Sequence, residues 1–240
     1  MEPHTRSAFV TGASSGIGLA YAEMLADEGY DLTVVARGSD RLAEAAARLR
    51  GLGVAVLEGP ADLSDEDQIR QVFAAHGAAY GSIDVLVNNA GTAQLGSVAD
   101  ITARMIDDQL GLNVRGLMLA YREALPLLTK GASDHGQSLV FNVASVAAQR
   151  GTPMMSVYAA TKAAVLNFSL SMHTELVGQG IRSTAVCPGF VDTPFTDGVK
   201  NRIPADSMIR PSDVAELSRP LLHLSPVCHV PELTIDRVAA

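Results

Sequence analysis

The chain has 240 residues, 48% of them hydrophobic, and a formal net charge of −8. That length suits one α/β domain over residues 1–240, burying roughly three quarters of its unfolded surface, and the negative balance argues against nucleic acid or an anionic membrane as partner. Two cysteines, Cys187 and Cys228, give no disulfide framework and fit a reduced, cytoplasmic compartment; the six histidines show no metal-ligand spacing, so no metal is expected. No apolar run approaches a membrane span, and Met1–Arg6 leads straight into the first strand without room for a signal peptide.

Apolar runs predict strands at Ser7–Thr11, Asp31–Ala36, Val54–Glu58, Asp84–Asn88, Ser138–Val143, Ser183–Val186 and Pro231–Ile235. They are apolar without alternation, which suits a sheet covered on both faces. Helical stretches, several rich in alanine, lie between them. No repeat, charge block or low-complexity linker marks a domain boundary, and right-handed crossovers then give a Rossmann-type, doubly wound parallel sheet.

The first strand runs into Thr11-Gly12-Ala13-Ser14-Ser15-Gly16-Ile17-Gly18, followed by an amphipathic stretch from Leu19 to Glu28. A strand, a glycine turn and a helix N-terminus suit a phosphate group, because the backbone approaches closely and the first-turn amides face the anion. The second strand ends in Ala36-Arg37, where an acidic residue would bond the ribose hydroxyls of NAD. A guanidinium there pairs instead with a phosphate, with Arg41 as a possible helper and Asp40 as a possible neutraliser. Asp62 and Leu63 follow the third strand, and Ser64 with Asp67 resembles a capping box. The fourth strand ends in Asn88-Asn89-Ala90-Gly91. The fifth delivers Ser145 just past its end, where ligands of open parallel sheets lie. Tyr158 and Lys162 are four residues apart and stack on one helix face. The ammonium is expected to lower the phenol toward neutrality, so that Tyr158 can exchange a proton with a substrate oxygen.

Taken together, Gly12, Gly16 and Gly18; Asp62; Asn88 to Gly91; Asn113; Ser145; Tyr158 with Lys162; and Pro188-Gly189 with Thr193 resemble the short-chain dehydrogenase/reductase family across nearly the whole length. Ser145 precedes Tyr158 by thirteen residues, the usual interval in that family. The resemblance implies seven strands in the order 3-2-1-4-5-6-7. It also implies a hydride transfer between a nicotinamide and a carbonyl or secondary alcohol. Tyr158 would be the general acid/base and Lys162 its tuner and the holder of the nicotinamide ribose. Ser145 would polarise the carbonyl, and Asn113 would hold a water in a proton relay. The cofactor would lie on Gly12, Ser14, Ser15, Gly16, Ile17 and Gly18. Further contacts would come from Asp62, Leu63, Asn89, Ala90 and Gly91, and from Pro188, Gly189, Val191 and Thr193. Ala36-Arg37 implies NADP (NADPH) in preference to NAD.

In the family the substrate pocket is walled by the segments corresponding to Val146–Arg150, Met154 and Met155, and Phe190 onward, with Gln94 and Leu95 as further candidates. The two methionines serve equally well as core packing. Arg150 and Arg202 suit a carboxylate or are simply solvated. The segment from Phe195 to Met208 is short for a lid, which predicts an open cleft. The stretch Ala163–Thr174 carries no charge, so its helix is expected to bury more than one face in a two-fold contact with the helix around Asn113. The C-terminus lacks the glycine-rich final turn of many members, leaving homodimer and homotetramer both open. Competing readings are an NADP-binding sensor without turnover, a dehydratase or epimerase of related fold, and a reductase of carbon–carbon double bonds. A sensor predicts damage to the tetrad, which is intact here. The dehydratases and epimerases usually have a substrate domain beyond the last strand, and the double-bond reductases a different tyrosine-to-lysine spacing.

Overall fold

A computed structural model describes residues 6–238. Seven strands, β1 Ser7–Thr11, β2 Asp31–Ala36, β3 Val56–Pro60, β4 Val85–Asn88, β5 Ser138–Val143, β6 Ile181–Pro188 and β7 Glu232–Ile235, make one parallel sheet in the order β3-β2-β1-β4-β5-β6-β7. The helices are α1 Gly16–Asp27, α2 Ser39–Arg50, α3 Glu66–Tyr80, α4 Ala103–Leu110, α5 Leu117–His135, α6 Ser156–Leu176 and α7 Pro211–Ser218. This is the doubly wound order that the family resemblance implies.

Successive strand residues point to opposite faces, so β1 feeds two cores. Ala8 and Val10 join Tyr21 and Leu25 of α1, Leu42 and Leu49 of α2 and Val214 of α7. Phe9 enters the other layer with Phe73 of α3, Leu86 of β4 and Tyr121 and Leu128 of α5. Phe9 and Phe73 stack with centroids 4.1 Å apart. Each fully buried ring of this kind contributes on the order of 2–3 kcal/mol of transfer free energy. The two fully buried phenols of α1 and α5 keep a polar partner: Tyr21 pairs with Ser218 at 2.5 Å and Tyr121 with Ser183 at 2.8 Å.

Several boundaries differ from the sequence expectation for identifiable reasons. β3 begins at Val56 rather than Val54 because its pairing with β2 starts at Leu32↔Val56. It continues to Pro60, which is tolerated because β3 is an edge strand and needs no donor on its outer side. β6 is twice the expected length. Arg182 interrupts the apolar pattern, yet its guanidinium is buried against Gln137 and the Ser225 and Cys228 carbonyls, and Cys187 and Pro188 pair with Thr234 and Ile235. The cap of α3 is Asp65, not Ser64: its carboxylate accepts from Asp67 N at 2.9 Å and Gln68 N at 3.1 Å. Helix α1 starts at Gly16, directly from the glycine turn. Between α4 and α5, Gly111–Gly116 winds as a π-helical turn. No helix among the described residues is long and apolar enough to cross a membrane.

His76 of α3 is fully buried under this sheet. Its Nε2 faces the Ser82 carbonyl at 2.9 Å and so carries the proton, leaving Nδ1 to accept from the Thr33 hydroxyl at 2.7 Å. Burial pushes its pKa from 6.5 down to about 4, against the opposing pull of the Ser82 carbonyl. Between those values the unfolded imidazole binds a proton that the folded one refuses, so stability falls as pH drops through this window. The loss attributable to His76 is roughly 3 kcal/mol at most. Urea midpoints measured from pH 7 to pH 4 should therefore decline, and His76→Gln should flatten that decline; an unchanged slope in the variant would remove His76 as its source.

Candidate active site

All seven strands point the same way, so their carboxyl ends share one rim. The turn after β1 is fixed there from the neighbouring strand. The Thr11 hydroxyl accepts from Asn89 N at 2.9 Å and Ala90 N at 3.0 Å, and the Asn89 amide donates to the carbonyls of Thr11 and Gly12 at 3.0 and 3.3 Å. Gly12 and Gly16 adopt φ of 65° and 57°, the left-handed region that a side chain disfavours. Gly18 meets a different constraint: a Cβ there would run into the Gly12 carbonyl oxygen. Ser15 caps α1 without a side-chain hydrogen bond, and no acidic residue occupies the first turn. The first-turn amides are therefore left for an anion, and Thr193 packs over Gly16 from the opposite wall.

The cleft in front of this turn has a volume of about 470 Å³, within the range of small-molecule and cofactor sites. It is lined from β1 and α1 by Gly12, Ser14, Ser15, Gly16 and Ile17, and from the β2 end by Ala36, Arg37, Gly38 and Arg41. Leu63, Asn89, Ala90 and Gly91 follow from the ends of β3 and β4, then Ser145, Tyr158 and Lys162, and finally Pro188, Gly189, Val191 and Thr193. Arg37 and Arg41 are exposed and neither has an ion-pair partner among the described residues; Asp40 bonds to the Ser39 hydroxyl at 3.1 Å instead of neutralising Arg37.

Three sequence-selected residues stand behind the wall rather than in it. Gly18 underlies the turn. Asp62 accepts from the Ser64 amide at 2.9 Å and hydroxyl at 2.8 Å, which fixes the loop carrying Leu63. Asn113 lies in the π-helical turn, fully buried: its amide donates to Thr92 O at 2.8 Å and Thr161 Oγ1 at 3.0 Å, and its oxygen accepts from Thr92 N at 2.8 Å. Asn113 Oδ1 and Lys162 Nζ both close on Gly91, within 3.2 and 3.5 Å of where a Cβ would sit.

Tyr158 and Lys162 of α6 are 7% and 5% exposed. Lys162 Nζ donates to the Val143 carbonyl at 2.7 Å and stands 5.8 Å from the centre of the Tyr158 ring. Ser145 Oγ accepts from Ala147 N at 3.1 Å and faces the Pro188 carbonyl at 3.4 Å. The expected lowering of the Tyr158 pKa by Lys162 is not what the site shows. Burial raises the phenol to about 12, with the Ser145 hydroxyl pulling it back, and burial lowers Lys162 to about 8. The amine is spent on a backbone carbonyl, and burial of the two groups disfavours both charged forms. Tyr158 is thus protonated at neutral pH, the state a proton donor needs. Burial pushes the thiol of Cys187 in β6 up to about 11, so it stays protonated and acts as a packing group.

The outer wall departs from expectation in part. Val146, Arg150, Met155, Phe190 and Phe195 line the cleft; Gln94, Leu95, Met154 and Arg202 do not. Gln94 donates to Asp108 at 3.1 Å, outside the cleft. Met154 is half exposed with φ of 66°, its carbonyl accepting from Gly96 N at 2.9 Å, so it joins neither core nor cleft. Phe195 is also half exposed, with its ring 6.0 Å from that of Tyr158. Pro194 and Thr196 line it too, within the expected stretch from Phe190 onward, whereas Ala61, Leu112 and Thr152 lie outside the expected segments. Small or apolar, they offer no chemical signal in a sequence.

The profile of the short chain dehydrogenase family matches residues 6–203. The chain belongs to that family. It is 34% identical over 200 residues to the 3-oxoacyl-(acyl-carrier-protein) reductase of Staphylococcus aureus, 83% of this chain and 80% of that one. An uncharacterised oxidoreductase of Staphylococcus saprophyticus is 30% identical over 239 residues, 99% of this chain and all of the other. Among solved structures, actinorhodin polyketide ketoreductase with NADPH superposes with a TM-score of 0.88 at 30% identity, covering 97% of this chain and 95% of that one. The 3-ketoacyl-(acyl-carrier-protein) reductase of Brucella melitensis with NADH gives 0.86 at 28%, covering 96% of each.

Because the Gly18 Cα abuts a carbonyl, Gly18→Ala should lower stability by about 1–3 kcal/mol, whereas Gly38→Ala, with open space around it, should change little. Chemical unfolding of both variants checks this, and equal effects would mean that the turn has room to spare.

Proposed function

We propose that the chain is an NADP(H)-dependent reductase that moves a hydride between nicotinamide and a carbonyl or secondary alcohol. The observation that carries this reading is the convergence of Ser145, Tyr158 and Lys162 on the same cleft as an uncapped helix N-terminus with a glycine turn. The donor set fits a dinucleotide: amides of Gly12, Ser14, Ser15, Gly16 and Ile17 for the phosphates, and Arg37, helped by Arg41, for a ribose phosphate. Asp62 and Leu63 would serve the adenine, and Asn89, Ala90 and Gly91 the middle of the molecule. Pro188, Gly189, Val191 and Thr193 would hold the carboxamide end. The solved relatives with NADPH and NADH support a nicotinamide cofactor; the two unpaired arginines favour NADP.

The bound cofactor supplies the hydride. Tyr158 then gives its proton to the carbonyl oxygen, and in the reverse direction takes it back from the alcohol. Ser145 donates a hydrogen bond to that oxygen and stabilises the charge that develops there. Lys162 holds the nicotinamide ribose, and its proximity to Asn113 across Gly91 supports a proton path through the Gly111–Gly116 turn. The ketoacyl reductase names among the relatives favour carbonyl reduction as the class of reaction. Residues 1–240 form a single functional unit in this reading, working in the cytoplasm, where the free thiols of Cys187 and Cys228 suit a reducing compartment. The exposed face of α6, made by Ala160, Ala163, Asn167, Ser171 and Thr174, together with Ile106, Leu110 and Met118, supports a homo-oligomeric contact.

Tyr158→Phe should keep NADPH binding while losing about 100- to 10,000-fold in turnover of a carbonyl panel followed by nicotinamide absorbance; near-normal turnover would refute the acid/base assignment. In a separate titration, Arg37→Ala should weaken NADPH by about tenfold or more and leave NADH nearly unchanged. Equal losses for both would refute the phosphate assignment.

A further inference from the structure

Four side chains lining the cleft are basic, Arg37, Arg41, Arg150 and Lys162, and none of its described residues is acidic. Elsewhere the balance is reversed, since the whole chain has 26 acidic residues against 18 basic. The cleft is therefore a focus of positive potential in a negative molecule, which concentrates anions inside it. The dinucleotide accounts for Arg37 and Arg41, and the reacting centre for Lys162. Arg150 is left over.

Arg150 sits in the segment between Ser145 and α6, which carries Tyr158, and lines the cleft that those two residues also line. Its loop is tied down by two successive side chains. Gln149 bonds to Thr234 at 2.7 Å and to Glu232, and Arg150 Nη2 bonds to Asp236 Oδ2 at 2.6 Å. Asp236 is itself held at the rim, its other oxygen accepting from Arg237 N at 2.9 Å. Among the described residues the bond to Asp236 is the single one made by the Arg150 guanidinium, which leaves most of its donors free. Both partners are substantially exposed, 62% and 37%, so the pair is weak and yields readily to a competing anion. Arg150 is thus a cation on the cleft wall whose present partner can be exchanged for another anion.

We propose that Arg150 is the specificity-determining residue for an anionic substrate. The carbonyl compound carries an oxyacid group, carboxylate or phosphate, which Arg150 binds while the carbonyl faces Tyr158. This rests on the reductase reading and narrows it to charged substrates. A purely structural pin between Arg150 and the C-terminal segment would affect all substrates alike.

The test compares the wild-type protein with Arg150→Ala and Arg150→Lys in the presence of NADPH. Oxo acids are measured against their own methyl esters, and 3-oxoacyl thioesters of phosphopantetheine against those of N-acetylcysteamine. The wild-type protein should favour the anionic member of at least one pair, and added salt should raise KM for that member only. Arg150→Ala should raise that KM about 10- to 100-fold with little change in kcat and none for the neutral member, and Arg150→Lys should restore part of the loss. The responsive pair identifies carboxylate or phosphate as the source. Equal effects on both members of each pair, or no effect, overturn the inference. Calorimetry of the corresponding saturated acid and of phosphopantetheine with NADPH-loaded protein needs no turnover. Arg150-dependent binding without reduction of any carbonyl keeps this inference and sinks the reductase reading, whereas reduction of charged and neutral members alike, with or without Arg150, does the reverse.

Discussion

A parallel sheet covered on both faces leaves polar chemistry only the ends of its strands. In this protein that constraint determines almost everything else. Inside the two layers the fully buried phenols of α1 and α5 keep a hydroxyl partner, in the contacts of Tyr21 with Ser218 and Tyr121 with Ser183. Toward the carboxyl ends the pairing becomes a chain: Asn88 donates to Asn142 at 3.0 Å, and Asn142 donates to Ser169 at 3.0 Å. Just beyond the same strand ends come Asn89 and Ser145, whose side chains bond to the turn after β1 and to the Pro188 carbonyl and so shape the rim of the cleft.

The same dryness shapes Tyr158 and Lys162. Pairing a phenol with an ammonium is usually read as a way to ionise the phenol. Here the stronger influence is desolvation, which acts on both groups and drives them toward their neutral forms. The result is a protonated donor beside an amine titrating near working pH.

Much of this was legible in the sequence because it depends on residues with no common substitute for their task. The glycine turn, the two asparagines after β4, Ser145 and the Tyr158–Lys162 pair are each required by backbone geometry or by chemistry, and each was visible. Strands β1, β2 and β5 were legible to the residue because each carries an apolar run, Ala8–Val10, Val34–Ala36 or Leu139–Phe141, flanked by polar or glycine-containing segments. β6 was underestimated because Arg182 looks like a surface residue, and only its tertiary partners explain its burial. The outer wall was the least legible part. Whether Met154 or Met155 faces the cleft depends on a backbone turn with positive φ, and whether Arg150 or Arg202 does depends on which loop the C-terminal segment pins. Neither leaves a periodic mark in the chain.

The π-helical turn at Gly111–Gly116 has a consequence for how this chain can change over time. A turn with one residue more than α-helical geometry requires sets α4 and α5 out of phase by about 100°. Deleting a single residue there would restore a regular helix and rotate the buried face of α5, with Tyr121, Ala124 and Leu128, away from the sheet. Insertions and deletions are ordinarily absorbed by loops. Here a segment inside a continuous helical rod is locked to a fixed residue count, because the phase of a whole core layer is counted from it.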